Sequence, residues 1–144
     1  MRGTIHHIDL TVSDLMVSAD FYETVLGFLG YRRTSTRPDY VDWNLPGGDG
    51  LPCSVGLKAA RSDRQHDRYS AGLHHLAWHA ADRADVDSLH ELLVGQKAAI
   101  LDPPTEYPAY GAGYYAVFFA DPDGLKLEFV HYPGEREGLG AVRF

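Results

Sequence analysis

The chain of 144 residues has one cysteine, Cys53, so no intrachain disulfide can staple it. It lacks any apolar run near the ~20 residues that a membrane-spanning helix requires. The opening Met1-Arg2-Gly3-Thr4-Ile5 has no signal-peptide apolar stretch and leads directly into a strand-like pattern. Positive charge is scarce: 13 Lys and Arg against 20 Asp and Glu give a formal net charge of −7, which argues against a nucleic-acid backbone as partner. These shortages lead to the expectation of a cytoplasmic protein with no membrane and no nucleic-acid partner. A lone thiol permits that compartment rather than demanding it. An acidic balance still leaves room for a local cationic site facing a small ligand. What is present is 44% apolar residues, enough to bury a core in one compact domain of this length.

The sequence also repeats itself. Ile5-His6-His7-Ile8 returns as Leu73-His74-His75-Leu76, an offset of 68 (7 to 75). The same offset pairs Asp14 with Asp82, Leu26 with Val94, Gly27 with Gly95, and Gly56-Leu57-Lys58 with Gly124-Leu125-Lys126. Agreement over some fifty positions points to a duplicated unit. Each copy opens on an alternating strand: Ile8, Leu10 and Val12 against His7, Asp9 and Thr11, then Leu76, Trp78 and Ala80 against His75, Ala77 and His79. A helix follows in each. The first is capped by Asp14 or Ser18, is striped by Phe21, Tyr22, Val25 and Leu26, and ends at Gly27. The second covers 83–96, with Val86, Leu89, Leu92 and Leu93 inward. Strands are expected at 31–36, 40–45 and 53–59, with Asp49-Gly50 in a turn, and again at 98–101, 114–120 and 126–132, with Asp121-Pro122-Asp123-Gly124 as a turn. The resulting domain is 1–132, two βαβββ modules (1–60 and 72–132) joined by a polar linker at 61–71. The tail, 133–144, has little periodicity and is either mobile or docked on a partner. Residues 102–113 read as a long loop, a frequent carrier of function.

In both copies the apolar face of the opening strand packs on the helix, so the polar face looks at water or at a cavity. Copies related by a pseudo-twofold can bring His7 and His75 together. Glu128 alternates with the inward Leu127 and Phe129 on the last strand. Two imidazoles and one carboxylate suit one divalent metal ion, Fe(II), Mn(II), Zn(II), Co(II) or Ni(II), and leave coordination positions open. His6 and His74 read as structural or exposed, pointing to the apolar side or to the strand start; His66, His90 and His131 read as surface residues.

These residues carry a family resemblance. His7-Ile-Asp-Leu-Thr-Val-Ser-Asp-Leu15, with Ser18, Phe21-Tyr22 and Leu26-Gly27-Phe28, resembles the opening signature of the vicinal oxygen chelate superfamily, which includes glyoxalase I, methylmalonyl-CoA epimerase, extradiol dioxygenases, fosfomycin-resistance thiol transferases and bleomycin-binding proteins. His74-His75-Leu-Ala-Trp-His79 resembles its second-module opening, and Phe119-Ala-Asp-Pro-Asp-Gly-Leu-Lys-Leu-Glu128 its closing motif. The resemblance spans about 4–132. It implies an α+β fold of two βαβββ modules forming a curved, partly closed mixed sheet, and His7, His75 and Glu128 as metal ligands. It also implies a small oxygen-chelating substrate and a homodimer in which the ligands come from one chain or from two. The metal in such a site stabilises a developing oxyanion or enolate.

Departures from the pattern narrow the chemistry. Residues 51–60 contain no carboxylate, amide or imidazole, so the fourth ligand of glyoxalase I, and the Gln of the epimerase, are missing. A proton shuttle then needs another group, and Asp9 and His79 share the strand faces of the metal histidines. Asp9 equally suits an outer-sphere acid and His79 a hydrogen-bonded structural imidazole. Extradiol enzymes resemble a pattern with a Tyr where Phe118 stands and a further His, whereas 91–130 contains none. Tyr107, Tyr110, Tyr114 and Phe118 are candidates for a substrate pocket; clustered tyrosines serve equally as core and rim packing. The leading expectation is a glyoxalase-like lyase or isomerase. The alternatives are an Fe(II)/Mn(II) dioxygenase or thiol transferase of the same superfamily, and a bleomycin-type sequestering protein.

Overall fold

The computed structural model describes residues 4–46 and 53–134. The expected Asp49-Gly50 turn and the tail from 135 onward lie outside the described residues. The chain separates into two compact units at His66 and Asp67. No helix or strand occurs in 61–71.

The first unit runs β1 (His7–Val12), α1 (Leu15–Phe28), β2 (Arg32–Arg37), β3 (Tyr40–Leu45) and β4 (Cys53–Ala59). Its sheet has the order β1-β4-β3-β2, with β1 parallel to β4 and the other pairs antiparallel. Asp14 caps α1, accepting the backbone N–H groups of Met16 and Val17 at 3.0 Å each. The helix does not stop at Gly27. It continues to Phe28, and Gly30 takes the left-handed conformation (φ +89°) that ends it. Gly27 stays helical because the orphan carbonyls at the end are met by Leu29, Gly30 and Tyr31 N–H groups. Tyr22, Val25 and Leu26 from the helix, with Leu10, Val12, Trp43, Val55 and Leu57 from the strands, form the core. Each such side chain contributes about 1.5–3 kcal/mol of burial.

The second unit repeats the plan: β5 (His75–His79), α2 (Arg83–Gly95), β6 (Ala99–Glu106), β7 (Tyr115–Ala120) and β8 (Lys126–His131), in sheet order β5-β8-β7-β6. Asp82 accepts the Asp85 N–H at 2.9 Å while Asp85 accepts that of Ala81 at 3.0 Å, a reciprocal cap. Val86, Leu89 and Leu93 of α2 are buried, as are Leu127, Phe129 and Phe119 of the strands it packs on. The Asp121 turn forms as expected: its carboxylate accepts the Asp123 and Leu125 N–H groups, and Gly124 is left-handed (φ +82°).

One element departs from expectation. β6 is eight residues long and takes in Asp102-Pro103-Pro104-Thr105-Glu106, which the sequence reads as loop. Proline lacks the N–H that a central strand needs, but β6 is an edge strand, and its register shifts between Ile100 and Thr105 absorb both prolines. The loop therefore shortens to 107–114. Both units are α+β, with four-stranded mixed sheets that remain open. Among the described residues no helix is long and apolar enough to cross a membrane.

Candidate functional site

In the first unit, strand alternation lays the polar face out in rows. His7, Ser54 and Asn44 form one row, Asp9, Gly56 and Asp42 the next, and Thr11, Lys58 and Tyr40 the third. Asp9 pairs with Lys58 at 2.9 Å. That hydrogen bond, then the charge of Asp9, raises the Lys58 ammonium above the ordinary lysine range, so it stays cationic at any working pH.

In the second unit the rows are His75, Lys126, Ala120; Ala77, Glu128, Phe118; and His79, Val130, Ala116. His75 reaches across to Glu128, Nε2 to Oε2 at 3.3 Å. Glu128 is 2% exposed. Its other oxygen accepts a hydrogen bond from the Tyr114 hydroxyl. Around it lies an apolar and aromatic surface: Ala116, Phe118 and Val130, covered by Tyr107, Tyr114 and Tyr132. Tyr107 meets Phe118 edge-on at 5.3 Å and stacks on Tyr110 at 5.6 Å. Burial, and then the nearby Asp102, raise the Tyr107 phenol, which stays protonated as a donor. Tyr110 is 62% exposed and forms the rim. His79 stands on the same face, two rows from His75.

The buried carboxylate is the telling feature, because a charge out of water needs a compensating cation. Two of the expected donors, His75 and Glu128, lie together in the second unit. With metal–ligand bonds of about 2.1 Å, two ligands at a tetrahedral corner lie about 3.4 Å apart, close to the His75–Glu128 separation.

His6 and His74 are exposed and stand immediately before β1 and β5, at the strand start that the sequence reading allows. His6 Nδ1 lies 3.0 Å from His7 Nδ1, and His74 Nδ1 lies 2.8 Å from His75 Nδ1. In each pair one ring nitrogen donates and the other accepts. If the second histidine donates, its Nε2 keeps the lone pair that a metal needs. Partial desolvation, then the charges of His75, Lys126 and Arg68, hold His74 below the ordinary histidine range, which favours the neutral acceptor. The sequence signal was the His-His doublet at the same point of both copies.

The sheet register also corrects the repeat. The offset of 68 holds for the opening strands but not for the closing ones. Asp9 pairs with Gly56, whereas Ala77 pairs with Glu128, so Gly56 and not Ala60 is the counterpart of Glu128 (56 to 128, an offset of 72). The second copy carries four extra residues between these points. Gly56 has no side chain, and a Cβ there would overlap Asp9 Oδ1 and lie 2.8 Å from the Tyr40 ring. The Asp9 carboxylate from the neighbouring strand thus occupies the space that a side chain at position 56 would take.

The structure brings His75, Glu128 and Tyr114 together in the second unit; His7 and Asp9 belong to the first. Among the described residues no three His, Cys, Asp or Glu side chains cluster closely enough within either unit to hold a metal.

A sequence model of the Glyoxalase/Bleomycin resistance protein/Dioxygenase superfamily matches residues 4–129. The uncharacterized protein YqjT of Bacillus subtilis (strain 168) is 34% identical over 126 residues, covering 88% of this chain and 97% of that protein. A lactoylglutathione lyase of Haemophilus influenzae is 31% identical over 141 residues, covering 94% and 98%. The metallothiol transferase FosB of Lysinibacillus sphaericus is 33% identical over 127 residues, covering 88% and 80%. Among solved structures, a candidate glyoxalase of Bacillus halodurans superposes with a TM-score of 0.77 at 29% identity, covering 91% of this chain and 97% of that one. With a family match over most of its length, relatives above 30% identity and the same fold, the chain belongs to the Glyoxalase/Bleomycin resistance protein/Dioxygenase superfamily.

Proposed function

We propose that the chain is a divalent-metal-dependent enzyme, glyoxalase-like in the lyase or isomerase sense, acting on a small substrate that chelates the metal through oxygen. His7, His75 and Glu128 would hold the ion. The observation that carries this reading is the nearly fully buried Glu128 carboxylate, aimed at a His75 Nε2 whose other ring nitrogen is engaged by His74. A bound divalent cation would supply Lewis-acid stabilisation of negative charge developing on substrate oxygen. Asp9 offers the proton acceptor: it stands one row from His7, in the space a residue-56 carboxylate would fill, and Lys58 fixes its orientation. His79 is the other candidate for moving a proton, on the His75 side. Tyr107, Tyr114 and Phe118 exclude water from the Glu128 oxygens.

A thiol transferase is the second reading. It is favoured by Gly56, which leaves a three-ligand set, and by the similarity to a metallothiol transferase. The dioxygenase and sequestering readings have less support, given Phe118 in place of Tyr and the buried ligand carboxylate.

Elemental analysis of purified protein, followed by assays of the chelator-stripped and metal-restored forms, tests the proposal. The expected result is about one divalent ion per chain-equivalent and turnover of a lactoylglutathione-forming hemithioacetal that is lost on stripping and regained with metal. Turnover only of an epoxide with added thiol would select the second reading. A metal-free protein that binds ligand fully would overturn both.

Tyr114→Phe tests the support of the ligand carboxylate. Loss of its hydrogen bond is expected to weaken metal binding about 10-fold, as with other outer partners of ligands, without loss of folding. An unchanged metal affinity, read by competition with a chromogenic chelator, would reduce Tyr114 to packing.

A further inference from the structure

One feature of the first unit takes no part in the proposed metal site. Two rows beyond His7 a cavity of about 590 Å³ opens on the same sheet face, lined by Thr11, Arg37, Asp39, Tyr40, Lys58 and Arg61. Its volume is that of a small-molecule site. Three of those six side chains are cations and one is an acid, in a protein whose formal net charge is −7. The cations are not spent alike. Lys58 is shared with Asp9 and lies over the Tyr40 ring, 5.6 Å from its centroid. Among the described residues, no ion pair or side-chain hydrogen bond engages the guanidinium of Arg37 or Arg61. Ala59 and Ala60 add only small side chains to the lining, so the space between the cations stays open. Thr11 and Tyr40 add hydroxyls; the Tyr40 phenol, raised by burial and by Asp42 and Asp9, remains a donor.

We propose that this cavity is an anion subsite, built to take a carboxylate or phosphate group. Arg37 and Arg61 supply planar, paired N–H donors suited to either group, Lys58 a point charge, and Thr11 and Tyr40 neutral donors. Asp39 limits the charge that can be accepted and disfavours crowding by several anions. Resting on the metal-dependent reading above, the subsite assigns a substrate class: an acid whose anionic group lies up to about 13 Å, four strand residues, from the oxygens held near His7. Asp9 then stands between the two ends, in the row between His7 and Thr11.

The test uses inorganic phosphate and succinate as separate probes, titrated into the full chain by isothermal calorimetry, with sodium chloride at matched ionic strength as the control. The expected result is saturable one-site binding of at least one probe, which the control does not reproduce. The Arg37→Gln/Arg61→Gln double variant is expected to weaken it about tenfold, two surface charge contacts being lost. A preference for phosphate or for succinate identifies the group. Because both arginines are exposed, the double variant keeps its fold, and circular dichroism checks this. Repeating the titration on His75→Ala separates the two readings: anion binding there persists even if the metal site is wrong. Absence of saturable binding, or binding unchanged in the double variant, overturns the subsite whatever the metal does.

Discussion

In the His75→Ala variant, metal bound per chain is expected to fall to near zero, with affinity lower by more than about 100-fold. The bound follows from comparison. Removing a group that merely orients a ligand costs 10–100-fold in metal affinity, and His75 is itself a proposed ligand, with Nε2 3.3 Å from Glu128 Oε2. Its replacement leaves one imidazole and one carboxylate, too few for a tight site of this kind. His74→Ala is the graded control: it removes only the group on His75 Nδ1, and so is expected to weaken metal binding by about 10–100-fold without abolishing it. His7→Ala should match His75→Ala, since the three-ligand reading requires both imidazoles. The measurement is elemental analysis after gel filtration, with circular dichroism showing that each variant is folded. His75 is 39% exposed at its side chain, so truncation leaves no core cavity to unfold the unit. Full retention of metal in His75→Ala would remove the site.

The readable parts of this molecule were those written in local periodicity. Leu10 and Val12 against His7, Asp9 and Thr11 show which face of β1 meets the helix, and that alternation is what puts the histidine on the polar side. Asp14, Asp82 and Asp121 declare their caps and turn because a short carboxylate satisfies backbone N–H groups next to it in sequence. The unreadable parts depend on contacts between distant segments. Pro103 and Pro104 look like loop until the sheet order puts β6 at an edge. The true counterpart of Glu128 is hidden because four residues enter the second copy, and only the pairing of Asp9 with Gly56 reveals it. Tyr114 reads as one more pocket aromatic, yet its hydroxyl belongs to Glu128 across the β7–β8 hairpin. The cationic cavity joins residues from β1, β2, β3 and the end of β4, and no sequence window contains them together.

Glu128→Gln is expected to invert the usual relation between a site mutation and stability. Glutamine keeps the shape and can still accept from Tyr114, while its amide can donate to His75 Nε2, so no buried partner is orphaned. What it removes is a charge held at 2% exposure in an aromatic surround, whose effective desolvation cost is several kcal/mol before compensation. In chelator-stripped protein the variant should therefore melt at or above the wild-type temperature. Added metal should reverse the order. At a concentration about 100-fold above its dissociation constant, a ligand binding only the folded state stabilises by about 2.7 kcal/mol, or roughly 5–10 °C for a chain of this size. Wild type should show that shift and Glu128→Gln should show almost none. Differential scanning fluorimetry with and without Zn(II), Mn(II) or Ni(II) reads both arms. A metal-free variant that melts well below wild type would mean that the carboxylate holds the fold together. A full metal-induced shift in the variant would mean that it does not hold the ion. Either result would leave the burial of Glu128 without the functional reason given to it, since the stability cost of a buried ligand is tolerable only where the bound cation offsets it.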